Sequence, residues 1–276
     1  MARREMSSQA YLLLTLVFYT AGALHVLVHA LTRRRLLGSV ALTATLIGFA
    51  LNTAGLSQRW TEAGRFPAVG LHDGASFLAW AIVLVFLATY VRTQVEALGL
   101  VVYPVVFGLM LVAGLTRPSG SEDPVLRSLF LPIHTTLALF GYAALFLACA
   151  MGILYLMQER ELRSRSPRAF YYLLPSLERC DTLTARIVIV GFGFLTFAIL
   201  TGILWNDHAH GRYWTGDPKE WSATLAWVIY VALLVARLRS GWGGRRGAYL
   251  GIAGFAAVAF AWGWMALVSG VAVASH

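Results

Sequence analysis

Ile187-Val-Ile-Val-Gly-Phe-Gly-Phe-Leu-Thr-Phe-Ala-Ile-Leu-Thr-Gly-Ile-Leu-Trp205 runs for nineteen residues without a charged side chain. At ~1.5 Å per residue, a helix of that length spans a hydrocarbon core roughly 30 Å thick. No water bonds to the backbone at that depth, so the segment must satisfy its own amides as a helix. Seven similar runs lie on either side, at about Tyr11–Leu31, Leu36–Leu56, Ala75–Val91, Leu98–Leu115, Ile133–Met157, Ser222–Leu238 and Ala248–Gly270. Composition agrees: 58% of residues are hydrophobic and 13% charged, well outside the range of soluble domains. The chain therefore reads as an all-α, polytopic membrane bundle of about eight transmembrane helices, a single integral membrane domain over residues 1–276. The first run is too long for a signal peptide and is followed by Arg33, Arg34 and Arg35 rather than a small-residue cleavage site, so it is expected to be retained.

Basic residues divide sharply between the two sets of loops. Connections after runs one, three, five and seven hold Arg33–Arg35, Arg92, Arg160, Arg163, Arg165, Arg168, Arg179, Arg186, Arg237, Arg239, Arg245 and Arg246: fourteen of the twenty-two basic residues, against five acidic ones. The other side holds eight of each, so the whole formal charge of +9 lies on one side. The positive-inside rule makes that side cytoplasmic, with both termini outside, in a bacterial-type inner membrane. A charge distributed this way reports topology and contact with lipid, and argues against nucleic acid as a partner.

Cys149 falls inside the fifth run and Cys180 in a cytoplasmic connection, and neither belongs to a Cys-x-x-Cys pair, so nothing supports a thiol oxidoreductase. Residues 158–185 form the one long cytoplasmic loop, charged and broken by Pro167 and Pro175, and suited to meeting a partner.

Trp205 opens a different kind of sequence. Residues 205–221, Trp-Asn-Asp-His-Ala-His-Gly-Arg-Tyr-Trp-Thr-Gly-Asp-Pro-Lys-Glu-Trp, are expected to form an outward-facing loop rich in aromatic, imidazole and charged groups. Five of the seven histidines, His72, His134, His208, His210 and His276, fall on the same outer side, while His25 and His29 share a face of the first helix. Haem needs imidazole for its iron, a flat apolar or aromatic surface, and cations or hydrogen-bond donors for its propionates. Trp205, Tyr213, Trp214 and Trp221 supply a platform, Arg212 and Lys219 the cations, and His134, His210 and His276 candidate iron ligands. Asp217 and Glu220 flank Pro218 at the start of the seventh helix, where they serve either as helix caps or as part of the haem site. His72 is expected to cap the third helix or meet headgroups. No nucleophile elbow, phosphate loop or zinc signature is present.

Gly211-Arg-Tyr-Trp-Thr-Gly-Asp-Pro-Lys-Glu220, with Trp221-Ser-Ala-Thr-Leu-Ala-Trp-Val-Ile-Tyr230 and the glycine-rich run 241–255 after it, resembles the tryptophan-rich domain of the CcsA/ResC/CcmC haem-handling family of cytochrome c assembly proteins. Leu131-Pro-Ile-His-Thr-Thr-Leu-Ala-Leu-Phe-Gly-Tyr142 and Tyr155-Leu-Met-Gln-Glu-Arg160 are similar as well, and the size and helix plan resemble the short HemX/YpjD-like branch. The resemblance implies presentation of haem b on the outer face, between two imidazoles beside the tryptophan-rich segment, for attachment to a Cys-x-x-Cys-His apocytochrome c, together with an assembly partner subunit. It places His134 at the family's first outer haem ligand and makes a haem lyase component the enzymatic expectation. His210 and Gly216 stand where the family signature has tryptophan, Val235 where it has a helix histidine, and Gly270-Val271-Ala272 where it has Gly-Leu-His, with His276 four residues beyond.

Three function classes follow. The first is a haem-binding cytochrome c assembly factor. The second is a HemX-like membrane regulator of haem biosynthesis, acting through a cytoplasmic partner at residues 158–185. The third is a haem-free transporter or channel, disfavoured because the eight expected spans contain no Asp or Glu with which to couple protons.

Overall fold

The computed structural model describes residues 6–32, 34–68, 70–118, 130–164, 169–241 and 243–274, and all regular structure among them is helical. Eight α-helices follow in order: α1 (Ser8–Thr32), α2 (Arg35–Ala63), α3 (Gly70–Thr93), α4 (Gly99–Leu115), α5 (Phe130–Arg163), α6 (Leu177–His210), α7 (Pro218–Ser240) and α8 (Gly244–Ala274). Short 3-10 turns occupy Glu96–Leu98 and Ala169–Leu173. Among the described residues, seven helices have the length and hydropathy to cross a membrane, and α8, 31 residues long, covers the eighth expected run. The protein is a polytopic helical membrane bundle.

Most helices overrun the apolar stretches that announce them. α6 begins ten residues before Ile187 because Ser176, its N-cap, accepts a hydrogen bond from the Arg179 amide, and it continues to Gly211, whose φ of 64° closes the C-terminus. Two expected loops are accordingly narrower. The stretch 205–221 is helical through His210 and again from Pro218, leaving 211–217 irregular. The stretch 158–185 is α-helical to Arg163 and again from Leu177. Hydropathy registers only residues at lipid depth, whereas caps set where a helix stops.

The chain divides into two compact units, Met1–Pro132 with Gln158–Pro175, and Ile133–Met157 with Ser176–His276. In the first, α1 packs against α2 and α4, and α3 against α4. Close approach depends on glycine: a Cβ on Gly48 would stand 2.7 Å from the Tyr19 ring, the small-residue contact typical of membrane helices. In the second unit, Leu145, Ala148, Val188, Leu195, Ala226, Tyr230, Leu233 and Val258 form the core. The Tyr230 hydroxyl donates to the Gly141 carbonyl at 2.7 Å, and Trp227 Nε1 donates to Thr196 Oγ1 at 3.0 Å. At the end of this unit away from residues 211–217, Arg237 donates to both carboxylate oxygens of Asp181, which also accepts from the Gly244 amide at 2.8 Å. One carboxylate thereby ties the start of α6 to the end of α7 and the start of α8. Cys149 and Cys180 are both free and buried.

Candidate functional site

His134 lies in the first turns of α5, just after Pro132, where a missing amide proton costs nothing. Its Nδ1 stands 2.8 Å from the carbonyl oxygen of Ala198 on α6. A carbonyl only accepts, so Nδ1 carries the proton, and in the neutral ring Nε2 keeps its lone pair. Metal-binding imidazoles are usually oriented this way, by a hydrogen bond from the other nitrogen. The ring fills the space over Gly202, where a Cβ would stand 2.7 Å from its Cε1 and 2.8 Å from Nδ1. Gly202 is therefore the residue that lets α5 deliver an imidazole this close to α6.

Ala198, Gly202 and Asn206 are spaced by four, and all three are buried on one face of α6. One turn beyond His134's notch, Asn206 Nδ2 donates to Glu220 Oε1. The Glu220 carboxylate also accepts from the Thr215 amide, from Thr215 Oγ1 at 2.7 Å and from the Gly216 amide at 2.8 Å. Gly216 adopts a φ of 80°, which lets its amide turn back toward the carboxylate. Pro218 opens α7 and Glu220 is its third residue, the position from which a glutamate caps a helix start and favours its dipole. Of the two roles open to Glu220 in the sequence, its hydrogen bonds are those of a cap, and they hold residues 215–216 against α6.

Around this latch stand the aromatic groups. Trp214 and Trp221 meet edge to face with centroids 5.3 Å apart, and Trp205 meets the His210 ring in the same way at 5.6 Å. Tyr213, Trp214 and Trp221 are 65%, 45% and 62% exposed, an unusual display of large aromatic surface. Trp205 Nε1 is buried without a hydrogen-bond partner among the described residues. Arg212 and Asp217 are exposed beside them. The Lys219 side chain and His276 lie outside the described residues.

Not every expected group joins this cluster. Gly202 and His210 are eight residues apart, about 12 Å along the axis of α6. His134, seated at Gly202, and His210 are thus too far apart in this arrangement to bind one metal ion from opposite sides at metal–nitrogen distances of about 2 Å. The histidines of the first unit have other partners. His25 Nδ1 meets the Ala21 carbonyl at 2.7 Å. His29 Nδ1 meets the Arg34 carbonyl, and its Nε2 the Glu96 carboxylate, both at 2.8 Å. With both nitrogens engaged, His29 is a tie between α1 and the turns on either side of it rather than a haem contact. His72 neither caps α3 nor faces headgroups: it is buried, with Nδ1 2.6 Å from the Ala113 carbonyl of α4. Next to it Asp73, in the first turn of α3 and outside the expected third run, is buried and paired with Arg59 at 3.0 Å. Asn206 and Gly202 are the residues that sequence reasoning missed. Their signal was the four-residue spacing of small and polar groups in an otherwise apolar run.

Comparison with known proteins gives a consistent result. The sequence profile of the family described as "Cytochrome C assembly protein" matches residues 7–269. The cytochrome c biogenesis protein CcsA of Microcystis aeruginosa is 30% identical, over 90% of this chain and 88% of that protein. CcsA of Synechococcus sp. (strain CC9902) is 32% identical over 76% and 77% of the two chains, and that of Guillardia theta 30% identical over 78% of each. Among solved structures, cytochrome c haem lyase CcmF superposes with a TM-score of 0.69 at 14% identity, covering 99% of this chain and 52% of that one. The likeness to CcmF is one of fold, and this chain spans about half its length. With the family profile matched over nearly its whole length and relatives at 30–32% identity, the chain belongs to the cytochrome c assembly protein family.

Proposed function

We propose that this chain binds haem b and presents or delivers it on the outer face of a bacterial inner membrane, for attachment to apocytochrome c. The observation that carries the proposal is His134, whose Nδ1–H is held by the Ala198 carbonyl so that Nε2 keeps the lone pair that would bind iron. His276, four residues beyond the Ala272 position at which the family carries its histidine, takes the place of the missing partner ligand, because His210 sits too far along α6. Trp205, Tyr213, Trp214 and Trp221 form the platform, and the indole N–H of Trp205, without a partner among the described residues, is a donor suited to a carboxylate. Arg212 and Lys219 neutralise the propionates, and Asp217 with Glu220 shapes the segment that holds them. Haem is the cargo: what the protein contributes is orientation and proximity to the acceptor's cysteines, which raise the rate of thioether formation without an acid–base group of its own.

Oxidised and reduced absorption spectra of the detergent-purified protein, with a pyridine haemochrome assay, test this. Near-stoichiometric haem b in a six-coordinate state that is lost in His134→Ala supports the assignment. Haem content and spectrum unchanged in His134→Ala refute the site. A wild-type preparation that stays haem-free after loading transfers the function to the regulator class, with residues 158–185 as the surface to test for a cytoplasmic partner.

A further inference from the structure

In the first unit, Arg59 of α2 donates through Nε to Asp73 Oδ1 at 3.0 Å, with side-chain exposures of 13% and 1%. Asp73 Oδ2 is buried and has no hydrogen-bond partner among the described residues. A carboxylate oxygen left this way is costly in a low-dielectric interior, and such atoms are ordinarily completed by an internal ligand. Beside it is a cavity of about 20 Å³ lined by Ser8 and Leu12 of α1, Asn52, Gly55 and Arg59 of α2, and His72, Asp73 and Ser76 of α3, with Leu56. The polar groups around it are already mutually arranged. Ser76 Oγ donates to Asn52 Oδ1 at 3.1 Å, and Asn52 Nδ2 lies 3.7 Å from Met110 Sδ. Ser8 is bonded through its amide and hydroxyl to Glu62 at the rim.

We propose that this cavity is an internal water-binding site, in which a water donates to Asp73 Oδ2 and links it to the Asn52–Ser76 pair. Size selects the ligand: a water needs about 10–15 Å³ of such space and two to four polar partners, both of which are present, whereas an organic ligand does not fit. Charge selects it too. A metal cation would sit against the Arg59 guanidinium with one carboxylate to offset it, and an anion would face Asp73. The water completes the carboxylate's hydrogen bonds and, with the Arg59–Asp73 pair, fastens the ends of α2 and α3 together. His72 Nε2, 4.0 Å from Asp73 Oδ1, is the remaining titratable neighbour. This site is independent of haem binding in the second unit.

Millisecond hydroxyl-radical footprinting of the detergent-solubilised full chain tests the assignment, because radicals formed from a bound water oxidise side chains that bulk solvent does not reach. Met110, beside Asn52, and Met151, in the second unit, are both 0% exposed, while Met6 is 39% exposed and serves as the solvent reference. The water site requires Met110 to oxidise roughly tenfold or more faster than Met151 despite equal burial. It also requires Met110 to fall to the Met151 rate in the double variant Arg59→Met/Asp73→Leu, which removes the charges and keeps the volume. Equal rates for Met110 and Met151 in the wild-type protein, or a Met110 rate untouched by the double variant, overturn it. The first comparison needs no variant and so does not depend on the variant folding.

Discussion

Gly202→Ala is the smallest change that acts on the seat of His134. The new methyl would stand 2.7 Å from His134 Cε1 and 2.8 Å from Nδ1, so the ring must retreat by roughly 0.7 Å or more to regain ordinary contact. That retreat carries the Nδ1···O distance to Ala198 from 2.8 Å to the limit of a hydrogen bond, at about 3.5 Å. Overpacking costs about 1–3 kcal/mol and the lost bond about 0.5–1.5 kcal/mol. The better helix propensity of alanine returns about 1 kcal/mol. The net is a destabilisation of about 0.5–3.5 kcal/mol. For haem, releasing the hydrogen bond that orients a ligating imidazole lowers affinity by about 10–100-fold. Gly193→Ala on the same helix is the control, because nothing lies within 4 Å of a Cβ there, and it is expected to be neutral or mildly stabilising. Both variants are to be titrated with haem by absorbance and unfolded in parallel in a detergent series. Equal stabilities for the two would refute the packing argument at Gly202. A destabilised Gly202→Ala that binds haem as the wild type does would instead refute His134 as the ligand.

Three further outcomes are expected. Glu220→Ala strands the buried Asn206 amide at a cost of about 1–3 kcal/mol, because the exposed Thr215 and Gly216 amides re-solvate while Asn206 does not. Protease cleavage within 211–217 should accelerate, tryptophan fluorescence should change, and Glu220→Gln should recover part of the loss; unchanged cleavage would show that the latch does not hold the segment. A double-mutant cycle on Asp181→Asn and Arg237→Leu should return a coupling of about 1 kcal/mol or less that weakens with salt, because both side chains are about a quarter exposed. Cys149 and Cys180 are buried thiols, so alkylation of the native protein should be slow and become complete only on denaturation; rapid labelling of either would contradict the packing of α5 or α6.

The aromatic segment illustrates the division between what a sequence states and what it leaves open. Its residues are adjacent in the chain, so their coincidence at one helix junction needed no tertiary information. Asn206 and Gly202 escaped notice for the opposite reason. Their importance arises from His134, some seventy positions earlier, and from Glu220, and the four-residue spacing alone does not separate them from other small or polar residues in a membrane helix. Asp73 is buried in the first turn of α3 because Arg59 of α2 pairs with it, a partnership between two helices that no local pattern announces.

Helix number, approximate position and the membrane environment followed from the sequence by itself, because each rests on a local quantity, the apolar length needed to cross a hydrocarbon layer. The tryptophan-rich segment that carries the resemblance is equally local. Tertiary structure alone decided which nitrogen of His134 is tied, how His29 and His72 are engaged, where α6 stops and which carboxylate holds the aromatic segment. Each of these depends on groups distant in sequence approaching within hydrogen-bonding range, and a distance of that kind is set by how helices pack.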